Sequence, residues 1–335
     1  MTEAIGGYFG MEELSGNFNS FIHEDGVLLN TGRNAFRYIL LSISDEIEKL
    51  YIPYYTCPVV WHGLTIINKS SVIKGLYFYC IDKNLEIAED IELGEHDYIV
   101  ANNYFGIKDQ YIKALSKKYG NHLIIDNAQA FFAPVIPDTY AFYSPRKFFG
   151  VPDGGVAYVA NYANRVQCEE QDDSSNRLQH LQLRKEKGAE AGFATYQQNE
   201  CKLDKLPMKL MSDYTHDVLR GIDYTEAIEK RRANYKMLHE ALGDLNVLPL
   251  PSIESFACPM VYPFIPKKYK PNLRKQLQGQ RIYTATYWPN LAEMNYGTFE
   301  ERLAKRIIPL PIDQRYGENE MKKVIEMINT QINSN

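Results

Sequence analysis

From Asn30 to Val159 the chain repeats one pattern: a short apolar run, a polar residue at its end, then a stretch with helical spacing. "KLYIPYYT" (Lys49–Thr56) reads as a buried strand, and "CPVVWHGLTIIN" after it as a helix. "IKGLYFYCID" is a second strand, ending at Asp82, and "HDYIVANNY" a third. "DQYIKALSKKYG" has apolar residues at helical spacing and a glycine stop. "NHLIIDNAQ", "TYAFYSP" and "GGVAYVA" complete the series as strands. Strand–helix–strand alternation of this kind predicts an α/β fold, a mostly parallel sheet with helices packed on both faces. Ligands of such sheets sit beyond the carboxyl ends of the strands. Those ends carry Thr56, Asp82, Asn102, Asn103 and Asp126.

The rest of the chain has a different texture. The segment 168–206 is almost wholly polar and reads as a loop, a mobile segment or a solvated helix. "TEAIEKRRANYKMLHEALGDL" is an amphipathic helix, "CPMVYPFI" and "RIYTATYWP" are expected strands, "IIPLPIDQRYG" is extended, and "ENEMKKVIEMINTQIN" is a closing helix. These elements predict a large α/β domain over 1–222 and a smaller C-terminal α+β domain over 223–335.

Composition narrows the function. With 45% hydrophobic and 24% charged residues in 335, the chain can bury a sizeable core. A net charge of -5 argues against nucleic acid as a partner. No apolar run reaches the length of a membrane span, and the opening "MTEAIGGYFGMEELSG" lacks a signal-peptide layout. Five cysteines without a C-x-x-C pair fit a reducing compartment, the cytoplasm, and no metal site is expected. The 25 tyrosines suit interfaces and ring-holding sites as readily as compositional drift.

"AFYSPRKFFGVPDGG" (141–155) sets Lys147 among Phe142, Tyr143, Phe148 and Phe149. A lysine in such company either carries its charge out to water or is placed to lose its proton. Asp126 ends an apolar strand, where a carboxylate needs a cation or a donor, and Gln129 follows it. "LLNTGRNAF" (28–36) is a Thr-Gly turn running into an apolar helix, whose first N–H groups can cradle an anion. Each feature alone is ordinary capping or turn chemistry. Their order, anion loop, strand-end carboxylate, then lysine, matches the needs of pyridoxal phosphate: a lysine amine for its aldehyde, an acid at its ring nitrogen, and donors for its phosphate. Asp126 would keep the ring nitrogen charged, Gln129 could reach the ring hydroxyl, and Thr31, Gly32 and Ser144 could serve the phosphate.

These stretches resemble the DegT/DnrJ/StrS group of pyridoxal-phosphate aminotransferases, which act mostly on nucleotide-linked keto-sugars. "NTGRNAF" is similar to that group's phosphate turn, "NNYFGIKDQYIKALSKKYGNHLIIDNAQAFFA" follows its central pattern, and "SPRKFFGVPDGGVAYV" is similar to its lysine and glycine-rich run. "RRANY", "PMVYPF", "YWP" and "LPIDQRYG" resemble its C-terminal domain. The resemblance implies a fold-type I transferase with pyridoxal 5'-phosphate as cofactor and a homodimer as the assembly. It makes Lys147 the Schiff-base lysine, Asp126 the pyridinium partner and Gln129 the contact to the ring hydroxyl. The Thr31–Gly32–Arg33 turn then belongs to the phosphate site.

The departures are specific. The group's serine five residues before the lysine falls on Phe142, so Ser144 takes its place. Its ring-stacking aromatic falls on Cys57, and its histidine before Phe-Gly falls on Asn103. Its Asn-Tyr-Arg motif has no counterpart; "KLMSDYT" stands in its place. The leading expectation is amino transfer from an amino acid, glutamate first, to a keto-sugar in amino-sugar biosynthesis. A homologue that binds the cofactor or a metabolite without transamination is the alternative. Dehydrating relatives carry histidine in place of the lysine, so Lys147 favours transfer.

Overall fold

The computed structural model describes residues 3–13, 20–43, 46–58, 60, 73–160, 166–293 and 297–333. Most of the helix expected from Cys57 to Asn68 lies outside them. In chain order the first elements are β1 (Ile5–Gly6), β2 (Val27–Leu29), α1 (Gly32–Ser42), β3 (Ile47–Pro53), β4 (Ile73–Tyr79) and β5 (Asp97–Asn102). Next come α2 (Asp109–Tyr119), β6 (Leu123–Asn127), β7 (Tyr140–Tyr143) and β8 (Gly155–Tyr158). The expected strands and the helix α2 therefore stand where the sequence pattern put them.

The large sheet has the order β2–β8–β7–β6–β5–β3–β4. All its pairings are parallel except those of β8, which runs against both of its neighbours. β5, β6, β7 and β8 are buried along their whole length. That is why their apolar runs are continuous rather than alternating. Successive residues still part to opposite faces. Ile99, Ala101, Ile125 and Ala141 enter one core, while Tyr98, Val100, Ile124 and Phe142 enter the other, under α1. Thr31 caps α1, its Oγ1 accepting from the Asn34 N–H at 3.0 Å, and Phe36, Tyr38, Ile39 and Leu40 seal that face. β4 lies at the sheet edge, where Leu76, Tyr77 and Phe78 are partly exposed.

The polar segment resolves into two helices, α3 (Gln179–Lys187) and α4 (Phe193–Leu203), rather than a loop. They pack by their partners, not by an apolar stripe: Tyr8 stacks on Tyr196 with centroids 4.9 Å apart, and Met11 N–H donates to Leu181 O at 3.0 Å. Beyond them lie α5 (Asp213–Arg220), α6 (Tyr224–Leu242), β9 (Val261–Phe264), α7 (Leu273–Gly279) and β10 (Ile282–Tyr283). The chain closes with α8 (Pro289–Ala292), α9 (Phe299–Arg306), β11 (Ile308–Pro311) and α10 (Glu318–Asn333).

Asp223 caps α6 by accepting from Glu226 N–H, which gives that helix a sharp start. Only Ile282–Tyr283 of the expected 281–289 strand pairs, and its parallel partner is β1. The Pro-rich extended passage is the strand β11, antiparallel to β9. In a two-stranded sheet each strand keeps a free edge, so Pro309, Pro311 and Pro263 break no inner ladder. Many tyrosines serve the core, with hydroxyls donating to backbone carbonyls, as from Tyr79 to Val100 (2.7 Å) and Tyr104 to Tyr55 (2.6 Å). No helix among the described residues is long and apolar enough to cross a membrane.

Candidate active site

Parallel strands bring their carboxyl ends to one edge, and a cleft of about 180 Å³ opens there. Asp126, the fourth residue of β6, is buried on its floor. One carboxylate oxygen accepts the Ala128 N–H at 2.8 Å. Burial pushes the Asp126 carboxyl above its ordinary range, against the opposing pull of the Lys147 charge and the Ala128 amide. Gln129 Oε1 accepts from the Phe105 N–H at 2.9 Å, which fixes the amide's orientation. Its Nε2 is then a buried donor with no partner among the described residues. Asn102 donates to Thr56 Oγ1 at 2.9 Å and leaves a buried carbonyl oxygen equally unpartnered. Unmet polar groups in a cleft wall are costly unless a ligand meets them.

Asn103 also borders the cleft, but its amide is engaged elsewhere. It donates to Asp109 at 2.7 Å and to Asn127 at 3.2 Å, and accepts from Lys108 N–H at 3.0 Å. Its hydrogen bonds thus hold the turn into α2. Asp82 lies outside the cleft, bound into a turn with Asn84 and Glu86.

On the opposite wall, Thr31 and Gly32 bring the start of α1 against Ser144. With the cap on Asn34, the amides of Gly32 and Arg33 remain at the helix end, outside the i→i−4 ladder. The Arg33 guanidinium turns away to Leu203 O (2.8 Å) and Asp204. Close approach here depends on Gly155: a Cβ at that position would lie 2.3 Å from the Thr31 carbonyl carbon and oxygen.

Lys147 ends a short 3-10 turn that begins at Pro145 and lies half-buried in the cleft. The four aromatics around it do not form a cage. Of them only Phe142 borders the cleft, while Tyr143, Phe148 and Phe149 belong to the core beneath. Their place is explained by the strand β7 before the turn and by the anchoring after it. Phe148 O accepts from Gln314 Nε2 at 2.8 Å and from Arg231 Nη2 at 3.4 Å, and the Arg231 guanidinium lies over the Phe148 ring at 4.7 Å. Arg231 is fully buried and also donates to Met260 O at 3.1 Å. Gly150 exchanges hydrogen bonds with Glu12 of the N-terminal segment, at 3.0 and 3.3 Å.

Thus Lys147, Asp126, Gln129, Thr31, Gly32, Arg33, Ser144, Cys57 and Asn103 all border a single cleft. Asn102, named from sequence only as a strand-end residue, is a wall residue too, and sequence reasoning missed Arg146, Glu200, Leu203, Asp204 and Trp288. Arg146 donates to Glu200 of α4, so α4 is the cleft's cover. Trp288, 7% exposed, brings the one large aromatic surface contributed by the C-terminal half. Arg146 and Trp288 were legible as neighbours of notable motifs; Glu200 and Asp204 carry no local signal. Among the described residues no group of three His, Cys, Asp or Glu side chains is placed to hold a metal ion.

Comparison with family models and with curated proteins returned no match. Solved structures do match. DesV from S. venezuelae, in complex with a ketimine intermediate, is 14% identical over 92% of this chain and 85% of its own, with a TM-score of 0.62. A DegT DnrJ EryC1 StrS aminotransferase from Brucella abortus is 16% identical over 92% and 86%, with a TM-score of 0.61. A Bacillus subtilis protein, ntda, with bound cofactor pmp, is 13% identical over 92% and 73%, with a TM-score of 0.60. The chain has the fold of these proteins, which is the fold its motifs predict.

Proposed function

We propose that this chain is a pyridoxal-phosphate-dependent aminotransferase of the DegT/DnrJ/StrS type, moving an amino group from glutamate or a similar amino acid to a nucleotide-linked keto-sugar. One observation carries the reading. A lysine, a strand-end carboxylate, an unpartnered amide donor and a helix N-terminus converge on one cleft. The shared fold and the pmp bound to one of its neighbours support it.

The residues fit the cofactor. Asp126 has one carboxylate oxygen held by Ala128 and would offer the other to the ring nitrogen. Gln129 Nε2 would donate to the ring hydroxyl, which satisfies its missing bond. The amides at the start of α1 and the Ser144 hydroxyl would take the phosphate. Trp288 would supply the aromatic surface that Cys57 lacks. Bound there, pyridoxal phosphate supplies an aldehyde and an electron-withdrawing ring. Lys147 Nζ would hold that aldehyde and, once freed, would be the base that moves a proton to and from the substrate carbon. The Asp126 carboxylate keeps the ring nitrogen protonated. A homodimer is the proposed assembly.

The test is the visible spectrum of the purified protein with pyridoxal phosphate, before and after glutamate. A yellow band that glutamate bleaches and 2-oxoglutarate restores is expected, and Lys147→Ala abolishes both the band and the exchange. A protein that stays colourless sinks the reading. A yellow protein indifferent to any amino acid would instead be a binder without transfer.

A further inference from the structure

Three cationic side chains border the cleft among the described residues: Lys147, Arg33 and Arg146. Lys147 is the proposed reactive amine. Arg33 is engaged by both Leu203 O and Asp204. Arg146 is different. Its Nη2 donates to Glu200, but its Nε is buried with no partner among the described residues. A guanidinium offers Nε and Nη2 as one fork suited to the two oxygens of a carboxylate. Glu200 fills half of that fork.

The neighbouring residue sets the ligand class. An α-amino acid carries its carboxylate on the carbon that bears the amine, so a donor reacting beside Lys147 needs an anion receptor adjoining that lysine. A keto-sugar has no carboxylate there, and a phosphate has the start of α1. Glu200 is 41% exposed on a polar helix, so it can leave without unpacking a core. Arg146 is only 18% exposed, a fixed receptor.

Resting on the aminotransferase reading above, we propose that Arg146 binds the carboxylate of the amino donor, and that Glu200 occupies that place until the donor enters and displaces it. Glu200 is then an internal competitor, and its strength sets how readily the site accepts a donor. Arg33 keeps the end of α4 attached during the exchange, so the cover remains in place.

Glutarate tests this, because it has the carboxylates of glutamate and no amine to transfer. Its affinity is measured by calorimetry on the full chain, with and without pyridoxal phosphate, beside inorganic phosphate. Glu200→Gln is expected to bind glutarate about fivefold tighter than the parent, the release of one partly exposed ion pair. Arg146→Gln is expected to bind it at least about fivefold weaker. Phosphate affinity should be the same in all three. Glu200→Gln alone decides if Arg146→Gln fails to fold, because losing a half-exposed carboxylate leaves the fold intact. Unchanged glutarate affinity in Glu200→Gln overturns the proposal, as does a gain for phosphate in place of glutarate. So does an equal gain in Asp204→Asn, which would report a loosened helix. A protein that never turns yellow with the cofactor fails the aminotransferase reading instead, an outcome read separately from the glutarate series.

Discussion

The floor of the cleft and its cover hold their residues by different physics. On the floor, Asp126 lies in a strand buried on both faces and Gln129 just after it, and the Lys147 turn is tied through Phe148 O to Arg231 and Gln314. These contacts exclude water, so displacing one leaves a buried group unmet. The cover is held by ion pairs at the surface: Arg146–Glu200, Arg33–Asp204 and Arg281–Glu190, whose carboxylates are 41–57% exposed. Such pairs are screened and individually weak. The residues given fixed roles in the proposed reaction sit in the first environment, and Glu200, proposed to yield to an entering donor, sits in the second.

That contrast breaks if the floor proves tolerant. Arg231→Met removes one of the two donors to Phe148 O and the donor to Met260 O, and is expected to cost about 3 kcal/mol in urea unfolding. It should also lower the affinity for pyridoxal phosphate, because the loop that presents Lys147 loses one of its anchors. A variant of parental stability would show that the floor is not held as described.

Acid gives an effect of at least the same size. Burial pushes His23, beneath the floor, down from 6.5 to about 4, against the hydrogen bond to Phe131 O. In α3, beside the cover, burial and the Arg146 charge likewise push His180 down to about 4. Both rings stay neutral in the folded chain while their unfolded counterparts charge below 6.5, so the unfolded chain takes up more protons. Stability therefore falls as pH drops from 6.5 to about 4 and gains no further loss from these rings below that. His23 alone accounts for about 3 kcal/mol. Unfolding curves at the two ends of that window check it, and His23→Gln should flatten the slope.

The smallest effect sharpens the comparison most. Raising salt to about 0.5 M should speed amide exchange in Phe193–Leu203 a few-fold while leaving Asp97–Asn102 unchanged. Equal acceleration in both would erase the distinction between floor and cover.

The floor was legible in the sequence because parallel sheets write themselves locally. Each strand is a contiguous apolar run and its polar terminator lies where the cleft opens, so Asp126, Gln129 and Lys147 could be read in order. The cover was not legible. α4 packs through Tyr196, Glu200 and Asp204 against residues far away in the chain, and its own pattern shows no apolar face. Arg231 was hidden for the opposite reason. Beside Arg232 in a charged helix it reads as solvated, yet it is buried. Asn103 borders the cleft where the motif put it, while its amide also holds the turn into α2.

The pairing of Ile5 with Ile282 has a consequence for how the protein is made. The segment that braces Gly150 leaves the ribosome long before its strand partner, which lies far later in the chain. Until residue 282 emerges, the start of the chain has no edge to join, and contacts so distant in sequence form slowly. The large sheet can assemble from neighbouring strands meanwhile, with Lys147 in place but its turn unbraced on one side. Competence would then wait until Ile5 and Ile282 find each other.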